Sequence, residues 1–190
     1  MKIKVAVFCS GSGSNAEKIF EYFNNHSEIE IALMISNKKD AYALERAKKF
    51  NIPSLVINKE AYQKGELLIS LKEYDISWIV LAGFLWLIPQ YLVSKFPNRI
   101  INIHPALLPK YGGKGMYGHF VHEAVVKNKD TESGMSIHFV NDHYDEGEII
   151  FQAKCAITAE DNAEEVAKKV LKVEHQYYAP TIEKTILESK

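Results

Sequence analysis

The chain is short of what would mark several protein classes. Two cysteines among 190 residues, Cys9 and Cys155, are too few for a disulfide framework. Both lie inside apolar runs, which predicts buried thiols in a reducing compartment. No apolar stretch reaches the roughly 18 residues of a membrane span. The opening "MKIKVAVFCSGSGSN" carries no apolar region followed by a small-residue cleavage site, so the expected location is the cytoplasm, away from membrane. Charge of one sign is not in excess. With 23 basic and 24 acidic residues the net charge is −1, which excludes a chain built to wrap nucleic acid. There is no Gly-Lys-Ser/Thr triphosphate loop, no repeat and no low-complexity linker. A small-molecule partner is the expectation that remains, and oligomeric state is left unknown.

What is present is a regular alternation. Hydrophobic residues make up 47% of the chain and charged residues 25%, a composition that is globular and ordered. Apolar runs predict strands at 3–8, 29–35, 54–57, 78–82 and 100–104. Helical spacing predicts helices at 15–23, 41–50, 60–72 and 89–95. Such alternation implies βαβ units and a mostly parallel sheet covered on both faces. After residue 104 the rhythm changes. A glycine-rich loop at 110–118 leads to a helix at 120–127. Two strands at 136–141 and 148–156, joined by "DHYDEG", predict an antiparallel hairpin. A long amphipathic helix at 162–187, expected to bend near Pro180, closes an α/β chain read as one domain.

The first strand ends in "CSGSGSNA". Gly11-x-Gly13-x-x-Ala16 has the form of a dinucleotide fingerprint. The second strand, however, ends in Ser36 and Asn37 without the acid that would take a ribose. Glycines before a helix free backbone N–H groups for an anion, Ser12, Ser14 and Asn15 add donors, and Asn15 is also suited to an N-cap. The reading favours a phosphomonoester over a dinucleotide, against the plainer alternative of a glycine turn before a helix.

The fifth strand ends in "NIHPALLPKYGG". Asn102 and His104 lie two apart, so they share a face at the carboxyl end of the strand. An amide donates to a developing oxyanion, and an imidazole donates to the same oxygen or relays a proton. With no serine or cysteine beside them, the pair suits attack by an amine that the substrate brings. Pro105 and Pro109 stiffen the turn beyond the pair. A histidine in this role needs a carboxylate to orient it, and Asp142, Asp145, Glu146 and Glu148 are all candidates.

"SGSGSN", "LAGFLWLIP", "NIHPALLPKY", "SIHFVNDHYDEGEIIFQ" and "VEHQYYAP" occur in an order and spacing that resemble the phosphoribosylglycinamide formyltransferase family over essentially the whole chain. The resemblance implies a Rossmann-like phosphate-binding half, about 1–100, and a folate and catalytic half, about 101–190, with the mostly parallel sheet completed by the antiparallel hairpin and long helix. It implies transfer of a formyl group from 10-formyltetrahydrofolate, a co-substrate, to the amine of glycinamide ribonucleotide in purine biosynthesis. It places the catalytic residues at Asn102, His104 and Asp145, which selects among the four acids. The ribonucleotide site falls on Gly11, Ser12, Gly13, Ser14, Asn15 and Glu174. The folate contacts fall on Lys59, Leu85, Trp86, Leu87, Ile88, Asn102, Asn141, Asp142, His143 and Tyr144. Trp86 stands where relatives carry arginine, and Ala106 where they often carry serine. His119 and His122 have a metal-ligand spacing but no visible third ligand, so no metal is expected. The competing readings are a 10-formyltetrahydrofolate hydrolase and a non-catalytic phosphometabolite-binding module.

Overall fold

The computed structural model describes residues 1–189, and the chain divides into two compact units, Met1–Asn102 and Ile103–Lys190. The first is laid down by alternation. It runs β1 (Ile3–Phe8), α1 (Ser14–Phe23), β2 (Ile29–Ser36), α2 (Tyr42–Lys49), β3 (Ser54–Val56), α3 (Lys59–Lys64), α4 (Leu67–Glu73), β4 (Trp78–Leu81), α5 (Gln90–Lys95) and the first three residues of β5 (Ile100–His104). The strands pair in parallel in the order β3-β2-β1-β4-β5. Val5–Phe8 and Trp78–Leu81 are buried on both faces, which is why they read as unbroken apolar runs. α1 turns Ala16, Ile19, Phe20 and Phe23 inward. Burying an Ile or Phe side chain contributes about 1.5–3 kcal/mol each, so this stripe outweighs the weak intrinsic helix preference of its aromatic residues.

The second unit contains α6 (His119–Lys127), β6 (Glu132–Phe139), β7 (Ile149–Ala156) and α7 (Ala163–Glu188). β6 and β7 are antiparallel, with Ser136 opposite Gln152. α7 begins with a capping box: Asn162 accepts from the Glu165 backbone while the Glu165 side chain accepts from the Asn162 N–H. It continues through Pro180. Its buried stripe is Val166, Val170, Glu174, Tyr178, Ile182 and Ile186, one residue per turn, with a single charged member.

Several local expectations are corrected. The helix expected at 60–72 is two helices, because Gly65 adopts φ +83° and closes α3 with a left-handed cap. Asn15 is not the N-cap of α1; the helix starts one residue earlier and Gly13 takes that place. β6 begins at Glu132 instead of 136. Cys9 is buried but Cys155 is only half-buried, since no residue of β7 is fully buried; both are free thiols. Among the described residues no helix is long and apolar enough to cross a membrane.

Candidate active site

In the first unit the carboxyl ends of three neighbouring strands are aligned by register. Phe8 pairs with Leu81, and Leu81 with Asn102. The glycine loop after β1, the 83–88 segment after β4 and Asn102 on β5 therefore lie along one edge, where parallel α/β sheets bind ligands. The two loops are tied together, for Ser10 N donates to Gly83 O (3.0 Å) and Leu85 N donates to Ser10 Oγ (2.9 Å).

The glycine loop is braced by α2. Ala43 N donates to Gly11 O, and Arg46 Nε donates to Ser12 O at 2.8 Å. Arg46 also pairs with Glu17 on α1. Gly13 sits at φ +74°, and a Cβ there would lie 2.5 Å from Ala43 Cβ. Gly13 is thus required by packing whatever the loop binds. Gly11 is different, since a Cβ there meets nothing within 4 Å among the described residues. Beyond the loop, the first N–H groups of α1 have no acceptor within the helix.

The 85–88 segment alternates. Leu85 and Leu87 are exposed and Ile88 is buried. Trp86 is half-buried, its ring 5.3 Å from that of Tyr62 and 6.2 Å from that of Phe84. Tyr62 Oη donates to Leu87 O at 3.2 Å. Lys59 is exposed at the start of α3, three residues before Tyr62.

In the second unit His104 is 4% exposed. Its Nδ1 lies 3.5 Å from Asp145 Oδ2. Its Nε2 is 2.7 Å from Tyr111 O. A carbonyl only accepts, so Nε2 is the donor of that bond. Asp145 is at φ +57°, near the end of the β6–β7 loop. Its Oδ2 accepts from Gly113 N at 3.0 Å, and its Oδ1 lies 3.7 Å from His138 Nε2. The other acids of this loop are exposed, and Asp142 engages His143. His104 and Asp145 are thus brought together. Asn141 Oδ1 accepts from His143 N, and Tyr144 is exposed. Glu174 is 7% exposed on α7, one turn from the fully buried Tyr178. Burial, and secondarily the Glu174 charge, push the Tyr178 hydroxyl well above its ordinary range.

The turn after His104 is held by residues that sequence reasoning gave no role. Ser136 Oγ donates to Ala106 O (2.6 Å) and accepts from Leu108 N (2.9 Å) and Gln152 Nε2 (2.8 Å). Gln152 Nε2 also donates to Leu108 O. The hydroxyl uses all its hydrogen-bonding capacity. The Leu108–Pro109 bond is cis. Ser136 and Gln152 both stand in the run "SIHFVNDHYDEGEIIFQ"; their facing positions on two strands were the available signal.

His119 and His122 part company. His119 is exposed and stacks on Phe120, whereas His122 is buried and its Nδ1 meets no hydrogen-bond partner among the described residues. Burial lowers the His122 pKa, helped by the neighbouring His104 and His119. Among the described residues no three His, Cys, Asp or Glu side chains form a metal-binding group. A cleft of about 270 Å³ in this unit is lined by Lys110, Tyr111, Asp130 and Ser133, and not by His104 or Asp145.

An Asn-x-His-Pro strand end, a histidine facing a carboxylate and a glycine loop on a parallel α/β sheet define a formyl transferase type of protein. The sequence matches the formyl transferase family over residues 3–182, and the chain belongs to that family. It is 45% identical over 186 residues to the chloroplastic phosphoribosylglycinamide formyltransferase of Arabidopsis thaliana, covering 94% of this chain and 64% of that protein. It is 35% identical over 183 residues to the Escherichia coli phosphoribosylglycinamide formyltransferase, covering 93% of this chain and 84% of that one. The crystal structure of phosphoribosylglycinamide formyltransferase from Bacillus halodurans matches with a TM-score of 0.88 at 34% identity, over 98% of this chain and 97% of that chain.

Proposed function

We propose that this chain transfers a formyl group from 10-formyltetrahydrofolate to the amine of glycinamide ribonucleotide, a step of purine biosynthesis. The observation that carries the proposal is the Asn102-Ile103-His104-Pro105 strand end with the Asp145 carboxylate 3.5 Å from His104 Nδ1, in a chain 35% and 45% identical to two proteins named for this activity.

The amine nitrogen attacks the formyl carbon and forms the new C–N bond, which leaves a tetrahedral oxyanion. Its collapse breaks the bond to N10 of the folate, and the proton lost by the amine ends on that nitrogen. The Asn102 amide and the His104 imidazole are the groups assigned to the oxyanion, a kind of stabilisation worth about 10²–10³ in turnover per donor. Asp145 holds the other face of the imidazole. Gly11–Asn15 take the ribonucleotide phosphate at the start of α1, and Glu174 takes the rest of that substrate. Lys59, Leu85–Ile88 and Asn141–Tyr144 take the folate. Leu85 and Leu87, 46% and 42% exposed, supply open apolar surface for it, while Trp86 is already engaged with Tyr62 and Phe84. The free thiols fit a reducing compartment, and the cytoplasm is the proposed location.

The test is tetrahydrofolate release from 10-formyltetrahydrofolate with and without glycinamide ribonucleotide. Release that requires the amine is expected. Release without it identifies a hydrolase, and no release under either condition identifies a non-catalytic binder.

A further inference from the structure

Asp130 stands outside every role given above, yet it organises the backbone that touches His104. It lies just beyond α6, where its N–H donates to Val125 O. Its Oδ2 accepts from the Tyr111 hydroxyl at 2.8 Å, and both of its oxygens lie 3.0 Å from Lys110 Nζ. The Tyr111 hydroxyl in turn accepts from Asn128 Nδ2 at 2.8 Å. The far end of Tyr111 is therefore fixed by Asp130 and Asn128 together. Its backbone is at φ +56°, a left-handed conformation that a bulky residue holds only when its surroundings impose it. Its carbonyl, aimed by that conformation, receives the His104 Nε2 proton at 2.7 Å.

We propose that Asp130 is a positioning residue for formyl transfer: by anchoring Tyr111, it aims the Tyr111 carbonyl that holds the His104 Nε2–H in place. Asp145 constrains one side of the imidazole and Tyr111 O the other. The ring is thereby held in one orientation between two acceptors. The Asp130 carboxyl is held below its ordinary range first by the Tyr111 hydroxyl and then by Lys110, so the anchor is charged at neutral pH. Preorganisation of this kind acts on turnover more than on binding.

The proposal rests on the formyl-transfer reading for its kinetic arm only. Asp130→Ala, Asp130→Asn and Tyr111→Phe are compared with the parent chain. The readouts are the proton NMR signal of His104 Nε2–H and the kcat and KM for both substrates, with thermal unfolding recorded beside them. Tyr111→Phe keeps the ring and the carbonyl, so it tests the anchor without emptying the site. In Tyr111→Phe and Asp130→Ala the ring-proton signal is expected to broaden through exchange with water. Their kcat is expected to fall roughly tenfold to a hundredfold, with both KM values nearly unchanged. Asp130→Asn still accepts from the Tyr111 hydroxyl and is expected to retain the signal and most of the rate. A ring-proton signal unaltered in Asp130→Ala and Tyr111→Phe overturns the proposal. So does an altered signal with parental kcat. A parent chain inactive in formyl transfer counts against the function proposed above, while the ring-proton result still decides this one.

Discussion

Two loops lie beyond strand ends, and both are held at backbone atoms, but by different partners. The glycine loop after β1 is gripped through its own carbonyls, by Ala43 N and Arg46 Nε from α2, and it needs a glycine at 13 because Ala43 occupies the space of a side chain. The turn after β5 is gripped by side chains, with Ser136 and Gln152 on its first half and Asp130 and His104 on Tyr111. In the first loop the demanding position is Gly13, where Ala43 leaves no room for a Cβ. A turn held through one buried hydroxyl, Ser136, depends on that group most, because removing it leaves buried backbone partners short of a hydrogen bond.

The largest effect that separates the two is chemical. His104→Ala is expected to lower kcat by about 10²–10³ while the fold is kept, and Asn102→Ala by a similar factor. Steady-state kinetics beside circular dichroism checks this, and no substitution in the glycine loop is expected to match it in kcat. Next comes Gly13→Ala. The added Cβ collides with Ala43 and the φ of +74° is costly for any L side chain, so about 2–4 kcal/mol of stability should be lost by denaturant titration. Gly11→Ala sharpens the point, for its Cβ meets open space. Its stability should change little, yet the KM for the ribonucleotide should rise if the loop holds the phosphate. Third is Ser136→Ala, which removes the partner of Leu108 N and of Ala106 O and should cost about 1–3 kcal/mol, visible as a lower Tm together with a lower kcat.

The smallest effect is one of pH. Burial lowers the His122 pKa from the ordinary value of 6.5. Above about pH 6.5 both the folded and unfolded states hold this ring neutral. As pH falls the unfolded chain takes up the proton first, so this contribution to stability is lost from about pH 6.5 downward. His122→Leu should make the fall in Tm between about pH 7 and 5.5 shallower. An unchanged slope would show that His122 does not titrate differently on folding.

Legibility in the sequence divides along the same line. β1, β4 and α1 were legible because burial imposes a period on neighbouring residues. Gly11–Asn15 was legible because a glycine loop is a local pattern. Asn102 and His104 stood out as a polar pair on one strand face. The break at Gly65 was missed because a single glycine in a helical pattern is usually tolerated, and only its left-handed conformation ends α3. Residue chemistry left four acids open as partners of His104. Family resemblance named Asp145, and the position near His104 depends on a left-handed residue at the end of a loop that no spacing encodes. Ser136, Gln152, Tyr111 and Asp130 were missed for a related reason. In the sequence they are ordinary strand and turn residues, and their importance arises from partners some twenty to forty positions away.

The most direct measurement tracks the formyl carbon itself. The chain is mixed with 10-formyltetrahydrofolate labelled in the formyl group and with glycinamide ribonucleotide, and the products are separated. The account predicts label in the formylated ribonucleotide at a rate matching tetrahydrofolate release, with that transfer reduced about 10²–10³ in Asn102→Ala. Label recovered as formate, or transfer undiminished in Asn102→Ala, would contradict it.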